Sequence, residues 1–185
     1  MAVQRLTIDG YGQLELNNAA FRRDGRVEAQ CRLDETDFAS IPAENGMLLA
    51  INNVTRTVSL PAGDGSDELI ALNYSAEHLY DENAKGLKNF KLELNEFLPR
   101  LGYLAVGDKF TTNCISYNTS DFADDATLKA NVLATTAIYA SESADGSILL
   151  KKGSAPSSTK VVLKAVSMTT MPDGQFGMKF QVVSC

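Results

Sequence analysis

The chain has 185 residues, a mass of 20.0 kDa and a formal net charge of −6, from 17 Lys and Arg against 23 Asp and Glu. Hydrophobic residues at 44% and charged residues at 22% exclude wholesale disorder, and the length fits one domain. The acidic balance argues against nucleic acid as the main partner, and no apolar run approaches the ~20 residues of a membrane span or resembles a signal peptide.

The first 45 residues differ from the rest. Gly10, Gly12, Asn17, Asn18, Asp24 and Gly25 break any long periodic run. After the Asp24-Gly25 turn signal, Val27, Ala29, Cys31 and Leu33 alternate with Glu28, Gln30 and Arg32, which reads as one amphipathic strand. Residues 34–45 are acidic, turn-rich and contain Pro42. Residues 1–45 therefore read as an extended N-terminal arm and linker, with an ordinary first hairpin as the alternative.

From Gly46 strand signals dominate. Residues 47–51 are apolar, Asn52-Asn53 marks a turn, and residues 55–60 alternate up to Pro61. After a Gly/Asp loop at 62–67, the stretch 68–74 alternates Leu69, Ala71 and Asn73 with Ile70, Leu72 and Tyr74, which predicts a strand buried on both faces. Ser75 can N-cap a short helix over 76–85, stopped by Gly86. Phe90, Leu92 and Leu94 resume a period of two. Gly107-Asp108 offers a turn before a strand over 109–116, and residues 121–129 suit a helical turn. Two hairpins close the chain: 132–141 with 147–152 across Ala144-Asp145-Gly146, and 160–170 with 175–183 across Met171-Pro172-Asp173-Gly174. The expected fold is all-β, a small barrel or sandwich of hairpins over 46–185 with one or two short helices and the extended arm.

Catalytic and cofactor patterns are thin. Cys31, Cys114 and Cys185 form no C-x-x-C pair, and three free thiols are expected with no intrachain disulfide. The single histidine, His78, sits outside any nucleophile elbow, and no phosphate-binding glycine loop or calcium loop is present. The paired acids Asp34-Glu35-Thr36-Asp37 and Asp124-Asp125 lack ligand spacing and read as solvated carboxylates. Asn53, Asn73 and Asn118 begin glycosylation patterns that read as chance matches. No catalytic, metal or cofactor-binding residue is assigned, and a non-enzyme is expected. Tyr74, Tyr80, Phe90, Phe97 and Tyr103 concentrate in one third of the chain and read as core or subunit-interface packing.

Charge is uneven. Residues 1–125 carry 20 acids and 11 bases, whereas residues 126–185 carry 3 acids and 6 bases. Lys151, Lys152, Lys160 and Lys164 are spaced as on solvated strand faces, and the sharper reading is a dipolar molecule whose two ends meet different surfaces in an assembly.

Tyr74-Ser75-Ala76-Glu77 through Leu79-Tyr80, Gly86-Leu87-Lys88-Asn89-Phe90, Pro99-Arg100-Leu101-Gly102 and Val106-Gly107-Asp108-Lys109-Phe110-Thr111-Thr112-Asn113 together resemble small structural proteins of tailed bacteriophages. The resemblance is to head decoration, or cement, proteins, and covers about residues 46–113 by pattern and the C-terminal hairpins by style. It implies a β-rich domain on the capsid exterior, often at local three-fold points, with no catalysis. The implied partners are the major capsid protein and further copies of the chain, for instance as a trimer, with no nucleic acid and no membrane. The implied location is the virion, after assembly in the bacterial cytoplasm. The chain departs from the smallest such proteins in its length and its long N-terminal segment. A tail-tube, head–tail-joining or fibre-base subunit is the first alternative. An all-β carbohydrate- or protein-binding module with a groove at Tyr74, Tyr80 and Tyr103, or a β-barrel hydrolase using acids such as Asp108 or Glu77, are the others.

The arm is expected to attach to the capsid by adding a strand to a neighbour's sheet edge, with Val27, Ala29, Cys31 and Leu33 as its buried face. On that view residues 46–185 fold alone and lose capsid binding. The basic 151–164 region is the alternative attachment element.

Overall fold

The computed structural model describes residues 2–67, 69–75, 86–96, 98–130 and 136–185. The helix expected over 76–85, with His78 and Tyr80, lies outside the described residues, as do Phe97 and residues 131–135. Among the described residues fourteen strands form two mixed sheets. The larger runs in the order β1 (Val3–Arg5), β10 (Ile115–Asn118), β12 (Ile148–Lys152), β11 (Ile138–Glu142), β13 (Val162–Thr170), β14 (Phe176–Ser184), β9 (Lys109–Thr112) and β2 (Leu14–Glu15). The smaller runs β3 (Val27–Glu28), β8 (Leu101–Gly102), β7 (Ile70–Asn73), β5 (Leu48–Asn52), β6 (Thr57–Ser59) and β4 (Arg32–Leu33). The all-β class holds, and among the described residues the strands are joined by a 3-10 turn at Leu87–Asn89 and one short helix, α1 (Asp125–Ala130), which starts where Asp124 Oδ1 accepts the Thr127 amide at 2.7 Å.

Local signals placed the hairpins well. β13 and β14 pair antiparallel from Thr170↔Phe176, closed by the Met171–Gly174 turn with Gly174 at φ 86°. β11 and β12 pair from Glu142↔Ile148, and β5 pairs with β6 across the Asn52 turn. The strand expected over 109–116 is instead two. It breaks at Asn113-Cys114, where Thr112 Oγ1 accepts the Cys114 amide at 3.0 Å, and its halves β9 and β10 sit near opposite ends of the larger sheet.

That break dictates the sheet's shape. β9 and β10 are five strand positions apart, about 24 Å in a flat sheet. The chain from Thr112 to Ile115 spans at most about 11 Å. The larger sheet must therefore curl until its ends approach one another, although no hydrogen-bonded ladder among the described residues closes it into a barrel. Its concave side holds Phe110, Ile115, Tyr117, Leu150, Leu163, Met178 and Phe180, packed with Leu48, Ala50, Ile70 and Leu72 of the smaller sheet.

The smaller sheet is buried on both faces, which explains its unbroken apolar runs. Its second face, with Leu49, Ile51, Val58, Ala71 and Leu101, is covered by Phe38, Ala43, Phe90 and Leu92 from irregular segments. The expectation for β7 holds, since Ile70, Ala71, Leu72 and Asn73 are all buried.

Residues 1–45 are not a free arm. Their four strands occupy all four sheet edges: β1 and β2 flank the larger sheet, β3 and β4 the smaller. Leu6, Phe21, Cys31, Leu33, Phe38 and Ala43 are buried in the two cores. The alternating stretch is also not one strand, because β3 and β4 lie on opposite edges of the smaller sheet. The reason is tertiary. Edges with unpaired N–H and C=O groups recruit whatever chain can reach them, and here the protein's own N-terminus does so with strands of two or three residues.

Candidate interaction surface

The four residues assigned to an attachment face are not brought together. Val27 pairs with Gly102 in β3 and is 38% exposed, while Ala29 is half-buried between strands. Cys31 and Leu33 are buried in the second core, so their side chains already pack against the chain itself. They cannot also be buried against a capsid subunit.

The convex side of the larger sheet presents a different surface. Strand register lines up Lys151↔Tyr139, Tyr139↔Lys164, Lys164↔Gln181 and Gln181↔Lys109 in one continuous cross-strand row over β12, β11, β13, β14 and β9. Lys179 stands two residues from Gln181 on β14, opposite Ser167 and Thr111. Alternation puts these side chains opposite the buried Leu150, Ala140, Leu163, Phe180 and Phe110. Among the described residues none of the four lysines is in an ion pair. The eight strands together hold Arg5, Lys109, Lys151, Lys152, Lys164 and Lys179 but only two carboxylates, Glu15 and Glu142. Glu142 is buried and accepts the Lys160 and Val161 amides, and Glu15 on the edge strand β2 stands opposite Thr111, in the same cross-strand row as Lys179. A cationic face thus sits on a chain of net charge −6.

Two register shifts in the β13–β14 ladder flank the row. Val166 is the extra residue between Ala165↔Phe180 and Ser167↔Lys179, and Val183 the extra residue between Val162↔Ser184 and Leu163↔Val182. A bulge turns an additional side chain away from the ladder. Val166 and Val183 are 45% and 43% exposed, one on each side of the Lys164–Gln181 pair. The sequence showed Lys151 and Lys164 as spaced cations, but Lys109 joins them only through long-range register.

Other polar groups are committed to the fold. Asp34 Oδ1 accepts the Thr36 and Asp37 amides, and Asp37 accepts the Leu60 amide. Asp125 accepts Tyr117 Oη at 2.6 Å and the Thr7 amide at 3.0 Å. Burial pushes the Asp125 carboxyl up, but those two hydrogen bonds outweigh it and hold it below the ordinary carboxylate range. Asp108 binds Arg26 at 3.2 Å and the Ala105 and Ala20 amides, pinning the loop before β9. Tyr74 is buried against Phe21, with ring centroids 5.0 Å apart, so it lines no groove. Glu77 lies outside the described residues. Among the described residues no His, Cys, Asp and Glu group of three or more is placed to hold a metal, and no helix is long and apolar enough to cross a membrane.

The thiols differ sharply. Cys114 is fully buried beside Arg5, whose Nη2 also bonds Glu44 Oε2 at 2.6 Å, and burial pushes its pKa up to about 12. Burial also raises the thiols of Cys31 and Cys185, but of the three only Cys185 is exposed. Titration of the native protein with a thiol reagent near pH 8 is therefore expected to modify Cys185 alone, with Cys31 and Cys114 reacting only after denaturation. Two fast native thiols would contradict this packing.

No protein-family model matches the chain, and neither a curated protein nor a solved structure is similar enough to count as a match.

Proposed function

We propose that the chain is a non-enzymatic structural protein of a tailed-bacteriophage particle, bound to the outside of the capsid and stabilising it. The observation that carries this reading is the cationic row on the convex face of an otherwise acidic protein, with no ion pair to its lysines among the described residues. Charge left unpaired on one broad sheet face suits contact with a large complementary surface, since complementary potentials steer encounter and set register. The resemblance of residues 46–113 to decoration proteins supports a capsid as that surface.

The four edge strands are only two or three residues long, which supports face-to-face docking over strand addition. Each copy contributes a modest contact, and repetition over the shell makes the sum large. Self-association on the shell, as a trimer or otherwise, adds to that sum. The protein then belongs to the virion exterior.

Co-sedimentation tests the reading. Purified protein is expected to pellet with capsids assembled from the major capsid protein of the same phage, and to raise their disassembly temperature. Protein that stays in the supernatant at micromolar concentration with empty and filled capsids alike would refute it. Rings or tubes formed by the protein alone in negative stain would favour the tail-tube alternative.

A further inference from the structure

We infer that the capsid contact is made by the convex face centred on Lys164, and that its partner is a carboxylate-bearing protein surface with an apolar middle. This rests on the capsid reading above and replaces the N-terminal strand as the attachment element.

Three observations set the partner's chemistry. The first is charge spacing. Lys151, Lys164 and Lys109 occupy alternate places in the cross-strand row, so neighbouring cations are about 10 Å apart along the sheet. Duplex DNA presents one charge per ~1.7 Å of axis, a density this face does not match. Carboxylates scattered on a protein surface do match it.

The second is the apolar component. Val166 and Val183 stand exposed on either side of Lys164–Gln181, with Val162 half-buried beside them. A phosphate backbone gives these valines nothing to pack against, whereas a protein surface does. Apolar area removed from water contributes about 25 cal/mol per Å². Tyr139 in the row has the amphipathic character enriched in protein interfaces.

The third is size. Five strands span about 19 Å across, and the nine residues of β13 and β14 about 30 Å along. Since β11 and β12 have five residues each and β9 four, the face offers roughly 500 Å², below the ~800 Å² per partner of a standard specific interface. One contact of this area is weak and salt-sensitive, and occupancy rises when many copies sit on one shell.

The test compares wild type with Lys164→Glu and with Arg23→Glu, a charge reversal of the same size at a side chain that is 83% exposed on the N-terminal segment and pairs only with its neighbour Asp24 among the described residues. Equal melting temperatures establish that all three are folded. Lys164→Glu is expected to weaken capsid co-sedimentation about tenfold or more, and Arg23→Glu less than twofold. Raising NaCl from 0.05 to 0.5 M should weaken wild type and bring it close to the Lys164→Glu variant, because screening shortens from above about 10 Å to below it. If wild type and Lys164→Glu pellet equally, the face is wrong while the capsid reading survives.

If wild type itself fails to pellet, the capsid reading falls, and a second arm tests the partner chemistry. Elution from immobilised poly-L-glutamate is compared with elution from immobilised duplex DNA. Later elution from poly-L-glutamate, lost in Lys164→Glu and kept in Arg23→Glu, supports the inference. Tighter retention on DNA, or no difference between the two variants, overturns it. A dimer in sedimentation velocity that Lys164→Glu abolishes also overturns it, by giving the face to a second copy of the chain.

Discussion

Removal of residues 1–45 is expected to abolish the folded monomer. The truncation uncovers both edges of both sheets at once, because β1, β2, β3 and β4 are the four edge strands. It also takes Leu6, Phe21, Cys31, Leu33, Phe38 and Ala43 out of the cores. Deleting a single large buried side chain costs about 2–5 kcal/mol, and a whole domain is stable by only about 5–15 kcal/mol. Loss of Phe21, Leu33 and Phe38 alone brings the total to that range. The uncovered β10, β9, β8 and β6 then offer unpaired ladders to other chains. Residues 46–185 should be recovered as aggregate or as a loosely packed species without a cooperative thermal transition. A sharp transition from a monomer in size-exclusion chromatography would show that the N-terminal segment is dispensable. Adding residues 1–45 as a separate peptide during refolding should restore part of the soluble fraction, because the edges accept it by the same main-chain pairing.

Phe21→Ala is expected to be among the most damaging single substitutions. The ring is fully buried, packs on Tyr74 and fills the space over Gly102, where a β-carbon would lie 2.4 Å from ring atoms. Phe→Ala in a core costs about 3–5 kcal/mol, which for a chain of this length lowers the melting temperature by roughly 6–20 °C. Gly102→Ala damages the same contact from the other side, by pushing the ring off its place, at about 1–3 kcal/mol. The double variant is expected to cost less than the sum of the two, since without the ring the added methyl has nothing to strike. Chemical denaturation of the four proteins measures this directly. Additive losses would mean that Phe21 and Gly102 do not share a contact.

Much of the fold was legible where the chain pairs with its near neighbours. The turn residues 171–174 and the alternation around them located β13 and β14, because a hairpin's register is set within a few residues of its turn. The double-sided apolar pattern of β7 announced a strand with cover on both faces. The N-terminal segment misled for the opposite reason. Strands of two residues carry almost no periodic signal, and the regular spacing of Val27, Ala29, Cys31 and Leu33 arose from two separate edges and a bend between them.

The candidate face was half visible. Lys151 and Lys164 stood out as spaced cations, but no local pattern links Lys109 to them. Its place in the row depends on β14 lying between β13 and β9, a pairing that joins residues more than 65 positions apart. Val166 and Val183 read as ordinary strand residues until the two register shifts exposed them.

The sequence by itself determined the all-β class, the C-terminal hairpins and the excess of cations among the late strands. These follow from side-chain alternation, turn stereochemistry and charge, which act over a few residues. Only the tertiary structure decided that the larger sheet curls, that short strands from the first 33 residues form every sheet edge, and that three distant lysines share one row. Those outcomes turn on which unpaired ladder meets which segment once both sheets have formed, and non-local register of that kind is selected by burial and hydrogen bonding of the whole molecule together.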